Sequence, residues 1–107
     1  DIGQCVVVKN RVIVSVEAVE GTDEAITRGG NLGGKGAVVI KRTKPQQDLR
    51  FDLPAIGPQT IQTMVSVHAT VLAIEARRTV IIDRDDVLSQ ANDAGISIVG
   101  KATSGSI

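Results

Sequence analysis

Alternation of apolar and polar positions dominates the first third of the chain. Along Arg11 to Val19, Val12, Val14, Val16 and Ala18 share one face of an extended strand, and Ile13, Ser15, Glu17 and Val19 share the other. A second β-rich run, Cys5 to Val8, precedes it across Lys9-Asn10, a spacing that predicts a tight hairpin. Gly21-Thr22-Asp23 then ends the strand and opens a short helix, Asp23 to Arg28, with Thr22 as its N-cap. Gly29 to Gly36 reads as a glycine-rich surface loop and Ala37 to Lys41 as another strand. Pro58 suits the first position of a helix that runs to about His68, with Ile61, Met64, Val65 and His68 on one stripe. Val71 to Ala76 and Thr79 to Asp83 are predicted strands joined at Arg77-Arg78. Asp85 to Ala94 is a helix closed by Gly95, and Ile96 to Val99 is the last strand. Strands and helices alternate through the second half. The expected fold is therefore α/β, a single domain with a mixed β-sheet and about three short helices.

Length and composition narrow the functional classes. With 107 residues there is room for one modest core, and with a single aromatic residue, Phe51, that core must be aliphatic. Twelve basic and twelve acidic side chains cancel, so no bulk field attracts a polyanion. The lack of stacking aromatics and of a Lys/Arg stripe argues against nucleic acid as a partner. No apolar run reaches the length of a membrane span, and none has the layout of a signal peptide. Cys5 is the one cysteine, which leaves neither a disulfide framework nor a zinc site. It reads as a small buried hydrophobe in a reducing compartment. The chain opens on Asp1 without an initiator methionine and closes on a polar Lys-Ala-Thr-Ser-Gly-Ser-Ile tail. The expectation is a domain over residues 1–100 cut from a longer protein, with 101–107 as a frayed tail.

Several motifs lose their chemistry on inspection. Gly29 to Lys35 satisfies the glycine half of a phosphate-binding loop, but Gly36 stands where a hydroxyl is needed for Mg2+. A helix also precedes this segment and a strand follows it, the reverse of the order that aims a helix N-terminus at phosphate. Asp83-Arg84-Asp85-Asp86 mimics the nucleophile motif of haloacid-dehalogenase-like phosphatases. Too little chain follows for the later motifs, and a capped, acid-rich helix start accounts for the cluster. His68 is expected to be a packed or boundary histidine rather than a base. Glu75, at the end of an apolar strand, is either an edge charge or a carboxylate aimed into a site.

Two segments remain. Glu20-Gly21-Thr22-Asp23 forms a strand-to-helix turn whose free N–H groups suit an anion. Thr22 is positioned to donate to a phosphate, and Glu20 or Asp23 to hold a metal or orient water. Lys44 to Thr60 contains all three prolines and the only phenylalanine, interleaved with Lys44, Asp48, Arg50 and Asp52. Lys44 and Arg50 suit phosphate oxygens, and Asp48 and Asp52 suit a hard cation or an activated water. The helix start at Gly57-Pro58-Gln59-Thr60 offers a second set of N–H groups.

Taken in order, Asp1-Ile2-Gly3-Gln4, Val16-Glu17-Ala18, Glu20-Gly21-Thr22-Asp23, Lys41 and Lys44-Pro45-x-Gln47-Asp48-x-Arg50-x-Asp52-x-Pro54-x-Ile56-Gly57-Pro58-x-Thr60 make a recognisable series. The chain resembles, from Asp1 to about Gly100, the C-terminal domain of the bacterial UDP-2,3-diacylglucosamine pyrophosphatases of lipid A synthesis, the type unrelated to calcineurin-like metallophosphoesterases. The resemblance implies a Mg2+-dependent hydrolase that splits the pyrophosphate of UDP-2,3-diacylglucosamine into UMP and 2,3-diacylglucosamine 1-phosphate. It implies Asp52 and Asp48 as catalytic residues and metal ligands; Glu20, from the reading of its own turn, is expected to join them at the metal. Thr22, Asp23, Lys44, Gln47, Arg50 and Thr60 are the implied substrate contacts. It further implies a separate N-terminal domain as partner and transient, peripheral contact with the cytoplasmic face of the inner membrane. The sequence leaves oligomeric state open. The alternative reading is a non-catalytic nucleotide- or phosphate-binding domain, or a partner-docking domain, that retains the fold.

Overall fold

Strand alternation decides the layering of this domain. The computed structural model describes residues 5–18, 20–42 and 54–102. The elements are β1 (Cys5–Lys9), β2 (Val12–Val16), α1 (Thr22–Gly33), β3 (Val38–Lys41), β4 (Ala55–Ile56), α2 (Pro58–Ser66), β5 (Val71–Glu75), β6 (Val80–Ile81), α3 (Arg84–Ala94) and β7 (Ser97–Lys101). A five-stranded sheet runs in the order β2-β1-β3-β5-β7. Its β1 is antiparallel to β2 and β3, while β3, β5 and β7 are parallel. The sheet is thus mixed and the domain α/β, as the alternation of elements implies.

Every second strand residue enters one core. Cys5, Val7, Val39, Leu72 and Ile74 meet Ile26 of α1, Ile61 and Met64 of α2, and Val87 and Ala91 of α3. Each large side chain buried this way contributes about 1.5–3 kcal/mol. The intervening residues Val6, Val8, Val38, Ile40, Val71 and Ala73 are only half-buried. All three helices therefore pack on one face of the sheet.

The expected hairpin forms, but it turns at Asn10-Arg11, one residue later than the sequence suggests, with Lys9 paired to Val12. Asn10 and Arg11 both take positive φ, 53° and 67°, as a two-residue primed turn requires. The register then shifts, because Val7 faces Ser15 whereas Val8 faces Ile13. This bulge interrupts the two faces expected for β2. Val12 and Ile13 are left exposed, while Ser15 is buried and its hydroxyl donates to the Ala25 carbonyl at 3.0 Å.

The main departure from expectation lies in α1. Gly29 to Gly33 is not loop but the second half of a twelve-residue helix. A Cβ at Gly29 would stand 2.5 Å from Val7 Cβ and 2.8 Å from Ser15 Cβ; at Gly30 it would stand 2.4 Å from Val67 Cβ. These glycines let the helix backbone lie directly against β1, β2 and the end of α2. Close packing offsets a helix-propensity loss of roughly 1 kcal/mol for each glycine. Lys9 closes the helix by donating to the carbonyls of Gly33, at 3.2 Å, and Lys35, so a cation meets the negative end. At the other end Gly21, with φ 94°, is the N-cap, and Thr22 is the first helical residue rather than the cap.

Helix α2 starts at Pro58 as expected but stops at Ser66. His68 lies beyond it with φ 59° and is exposed, so it does not belong to the apolar stripe. The buried stripe is Thr60, Ile61 and Met64, and Val65 points outward. The end of the proline segment forms a short strand the sequence did not suggest. There β4 pairs in parallel with β6, to which the predicted Thr79–Asp83 strand shrinks. Asp83 occupies the N-cap position of α3 in a left-handed conformation without a side-chain capping bond; Asp85 and Asp86 supply the first-turn acids. Gly95 closes α3 at φ 72°, the conformation that glycine makes cheap.

Two outcomes follow from this packing. Gly30→Ala should lower unfolding stability in urea by roughly 1–3 kcal/mol despite alanine's better helix propensity, because the added carbon overpacks against Val67. Combining it with Val67→Ala should recover part of that loss. Burial also pushes the Cys5 thiol up to about 12, with the charges of Glu17 and Asp23 adding to the effect and Lys41 opposing it. At pH 8 its thiolate fraction is then about 10⁻⁴. Thiol labelling of the native protein should be at least ~100-fold slower than that of the urea-unfolded chain.

Candidate functional site

The site is organised by a lysine at the end of an aliphatic strand. In Val38-Val39-Ile40-Lys41, Lys41 has the same side-chain direction as Val39 and therefore enters the core face. It is 7% exposed, and its ladder partner on β1 is Cys5. An ammonium placed there must find oxygen acceptors. Its Nζ donates to the carbonyl of Ala55 at 2.6 Å and to Thr22 Oγ1 at 3.3 Å. One side chain thus ties the C-terminal end of β3 to β4 and to the first turn of α1. Burial pushes the Lys41 pKa down, while Glu17, Cys5 and Asp23 pull it back up.

Thr22 is engaged differently from the role expected of it. Lysine can only donate and a carboxylate can only accept. The Thr22 hydroxyl proton therefore goes to Glu17 Oε1, at 3.1 Å, while its oxygen accepts from Lys41. In this state the hydroxyl does not donate to an incoming phosphate. Glu17 enters the site as a carboxylate, held in turn by its backbone N–H bonded to the Cys5 carbonyl at 2.9 Å. Asp23 sits next to Thr22 in the acidic first turn of α1 and is half-buried.

Glu20 is also committed. Its Oε1 accepts from Arg28 Nη2 at 3.0 Å and from the Ala18 N–H at 2.9 Å. Arg28 further donates to the Val16 carbonyl, so the pair fastens the end of β2 to α1. Thr60 lies buried at the start of α2, where its hydroxyl accepts from the Gly57 N–H at 3.4 Å. Asp48, Asp52, Lys44, Gln47 and Arg50 lie outside the described residues. The described residues on either side of that segment, Lys41 and Ala55, are bonded to each other, and Lys41 in turn to Thr22.

Direction in the fold fits anion chemistry. Lys41, Glu75 and Lys101 mark the C-terminal ends of the parallel strands β3, β5 and β7. Ligands of open α/β sheets settle at that edge. A cleft of ≈ 150 Å³ opens there between Ile40, Arg42, Ala73, Glu75 and Lys101. Glu75, offered by the sequence as either edge charge or site carboxylate, is buried and stands across the ladder from Lys101. The N-terminus of α1 reaches the same edge through Thr22, and α2 begins just beyond Ala55. Two helix starts therefore lie near Lys41; that of α1 offers first-turn N–H groups, whereas at α2 Pro58 has none and the Thr60 N–H is bonded to the Gly57 carbonyl at 3.0 Å.

Among the described residues no three carboxylate, histidine or cysteine side chains come together as a metal-binding group. Of the P-loop-like glycines, Gly29 is spent on helix packing and Gly34 caps the end of α1. Asp83, Arg84, Asp85 and Asp86 surround a separate depression at the start of α3. Sequence reasoning had singled out neither Lys41 nor Glu17 as a site residue. The available signal was the shared parity of Val39 and Lys41, which places a lysine where the strand points inward.

The LpxI C-terminal domain family matches residues 1–99. The UDP-2,3-diacylglucosamine pyrophosphatase LpxI of Caulobacter vibrioides is 36% identical over 108 residues, an alignment covering 94% of this chain and 39% of that protein. The chain thus spans about two-fifths of the length of this relative. With the family match running through both segments that meet at Lys41, the chain belongs to the family of LpxI C-terminal domains.

Proposed function

We propose that this domain forms part of the active site of a hydrolase that cleaves the pyrophosphate of UDP-2,3-diacylglucosamine, releasing UMP and 2,3-diacylglucosamine 1-phosphate. The observation that carries the reading is the Lys41 bridge. It joins the Thr22–Asp23 helix start to Ala55, next to the proline- and aspartate-rich segment, at the strand edge where α/β sheets bind ligands. The relative that shares this sequence bears the name of that activity.

The reaction requires water to add to one phosphorus while the bridging P–O bond breaks and the departing phosphate leaves with its electron pair. The residues proposed for it divide by charge. Lys44 and Arg50, with Gln47 and the Thr60 hydroxyl at the start of α2, would bind phosphoryl oxygens. Asp23 and the helix start at Thr22 would border the same anion. Asp52 is the proposed water activator, with Asp48 as the second proposed catalytic residue. These two aspartates are also the proposed ligands of Mg2+. Glu20 would reach that ion through Oε2, because its Oε1 already accepts from Arg28 and Ala18. A bound Mg2+ supplies charge neutralisation at the phosphates and lowers the pKa of a water.

No described helix is long and apolar enough to cross a membrane. A lipid-linked substrate therefore fits transient contact with the cytoplasmic membrane face. The remaining part of the active site is proposed to come from the N-terminal domain of the same protein, since the relative is more than twice the length of this chain.

Hydrolysis is measured as UMP release from the UDP-lipid by the full-length protein. Asp52→Ala should reduce kcat by on the order of 10³-fold. Equal turnover by variant and wild type would remove Asp52 from the mechanism. No turnover by either, with retained UMP binding, would favour the non-catalytic reading. Chelation with EDTA should abolish the activity and added Mg2+ should restore it; turnover that survives chelation would eliminate the cation.

A further inference from the structure

We propose that Lys41 is a positioning residue for the reaction, kept at the strand end for function although its burial works against the stability of the fold. The inference rests on the pyrophosphatase reading of this site and adds a residue and a role to it.

Three observations carry it. First, the position belongs to the apolar face of its strand. Lys41 follows Val39 on the core face, pairs with Cys5 across the sheet, and is 7% exposed. An aliphatic side chain would complete the same layer without desolvating a charge. Burial accordingly works against the protonated form, although Glu17, Asp23 and Cys5 face it.

Second, its acceptors belong to two elements that the core already joins through Ile26 and Ile56, so the lysine acts on the alignment of their polar ends rather than on their packing. Ala55 lies on the short strand β4 and Thr22 on the first turn of α1, and both oxygens accept from the same Nζ. Lys41 therefore sets the spacing between the start of α1 and the strand leading into α2.

Third, Lys41 fixes a proton. Because its ammonium occupies the Thr22 oxygen as a donor, the hydroxyl proton must point at Glu17 Oε1. Without the lysine, the Thr22 hydroxyl is released to rotate and Glu17 loses the partner that orients it. Lys41 thus acts through Thr22 and Glu17, and the loss on removing it should appear in turnover rather than in substrate binding. Misplacement of a reacting geometry by an ångström is enough to cost on the order of 100-fold.

The test uses the full-length protein, with UMP release from UDP-2,3-diacylglucosamine and thermal unfolding measured in parallel. Lys41→Met should lower kcat by at least ~100-fold with KM little changed, and should also lower Tm, because it leaves the Ala55 carbonyl and Glu17 without their partner. Thr22→Val should produce a similar loss, and the double variant should be no worse than the more impaired single one, as expected for residues acting as one unit. Thr22→Ser, which keeps the hydroxyl, should retain most of the turnover.

A Lys41→Met protein with wild-type kcat would overturn the proposal. So would a kcat that returns to the wild-type value when the assay is run well below the variant's Tm, since the lysine would then be a structural prop only. If Lys41→Met fails to accumulate as folded protein, the Thr22 pair still decides: equal turnover by Thr22→Val and wild type overturns the proposal. Absence of hydrolysis by the wild type itself would instead overturn the pyrophosphatase reading, and the inference with it. The two failures are therefore told apart by the wild-type control.

Discussion

A cation that has lost its water governs the arrangement of this domain's charged edge. The end of β3 delivers the Lys41 ammonium into an aliphatic layer, where solvent cannot satisfy it. The acceptors within reach come from different elements, a carbonyl on β4 and a hydroxyl on α1. Satisfying one buried group thus forces a helix start and a strand from distant parts of the sequence to a common point. Glu17 completes the set by taking the Thr22 proton and supplying the opposite charge. The aliphatic core explains why the sheet and helices hold together. It also joins these two segments through Ile26 and Ile56, and the lysine fixes how their polar ends are aligned.

The charges around this point are graded. Glu20 and Arg28 neutralise each other at the exposed rim, where an ion pair adds little stability but fixes a turn. Glu17 and Asp23 lie half-buried beside Lys41. Cys5, directly across the ladder, stays a thiol because burial disfavours its charged form. A domain with no formal net charge therefore still carries a locally polarised edge, and that edge coincides with the C-terminal ends of its parallel strands. An anionic substrate would be drawn to that edge over a short range, by hydrogen bonds and helix starts, rather than by a long-range field.

Local rules were legible from the sequence wherever local physics decided the outcome. Pro58 at the head of α2, Gly95 behind α3 and the Asn10 turn each follow from backbone preferences of single residues. The mixed sheet followed from the order of elements. Legibility failed where a distant contact overrode a local preference. Gly29 and Gly30 look like loop residues until Val7 and Val67 are seen pressed against them. Likewise β4 exists because it pairs with β6, the part of the Thr79–Asp83 run that stays extended, and not because Ala55-Ile56 announces a strand. At the site, sequence reasoning drew Thr22, Asp23 and Glu20 to the right turn but assigned Thr22 a donor role that its bond to Glu17 occupies. Lys41 stayed unassigned because, in a run of Lys-Arg-Thr-Lys, it looks like the polar exit of a strand.

The glycine pair has a mechanical side. Gly29 lies seven residues after Thr22 on the same helix, roughly 10 Å along its axis. Pressed against Val7, Ser15 and Val67 without intervening side chains, that end of α1 cannot slide or tilt toward the sheet. The helix behaves as a lever clamped at one end, with Thr22 and Asp23 on its free arm. A small displacement at the clamp, produced by a single added carbon, would be carried to the arm's tip, where hydrogen-bond geometry tolerates only tenths of an ångström. The alignment of the charged edge is in this sense set from the opposite end of the helix, by two residues that have no side chain at all.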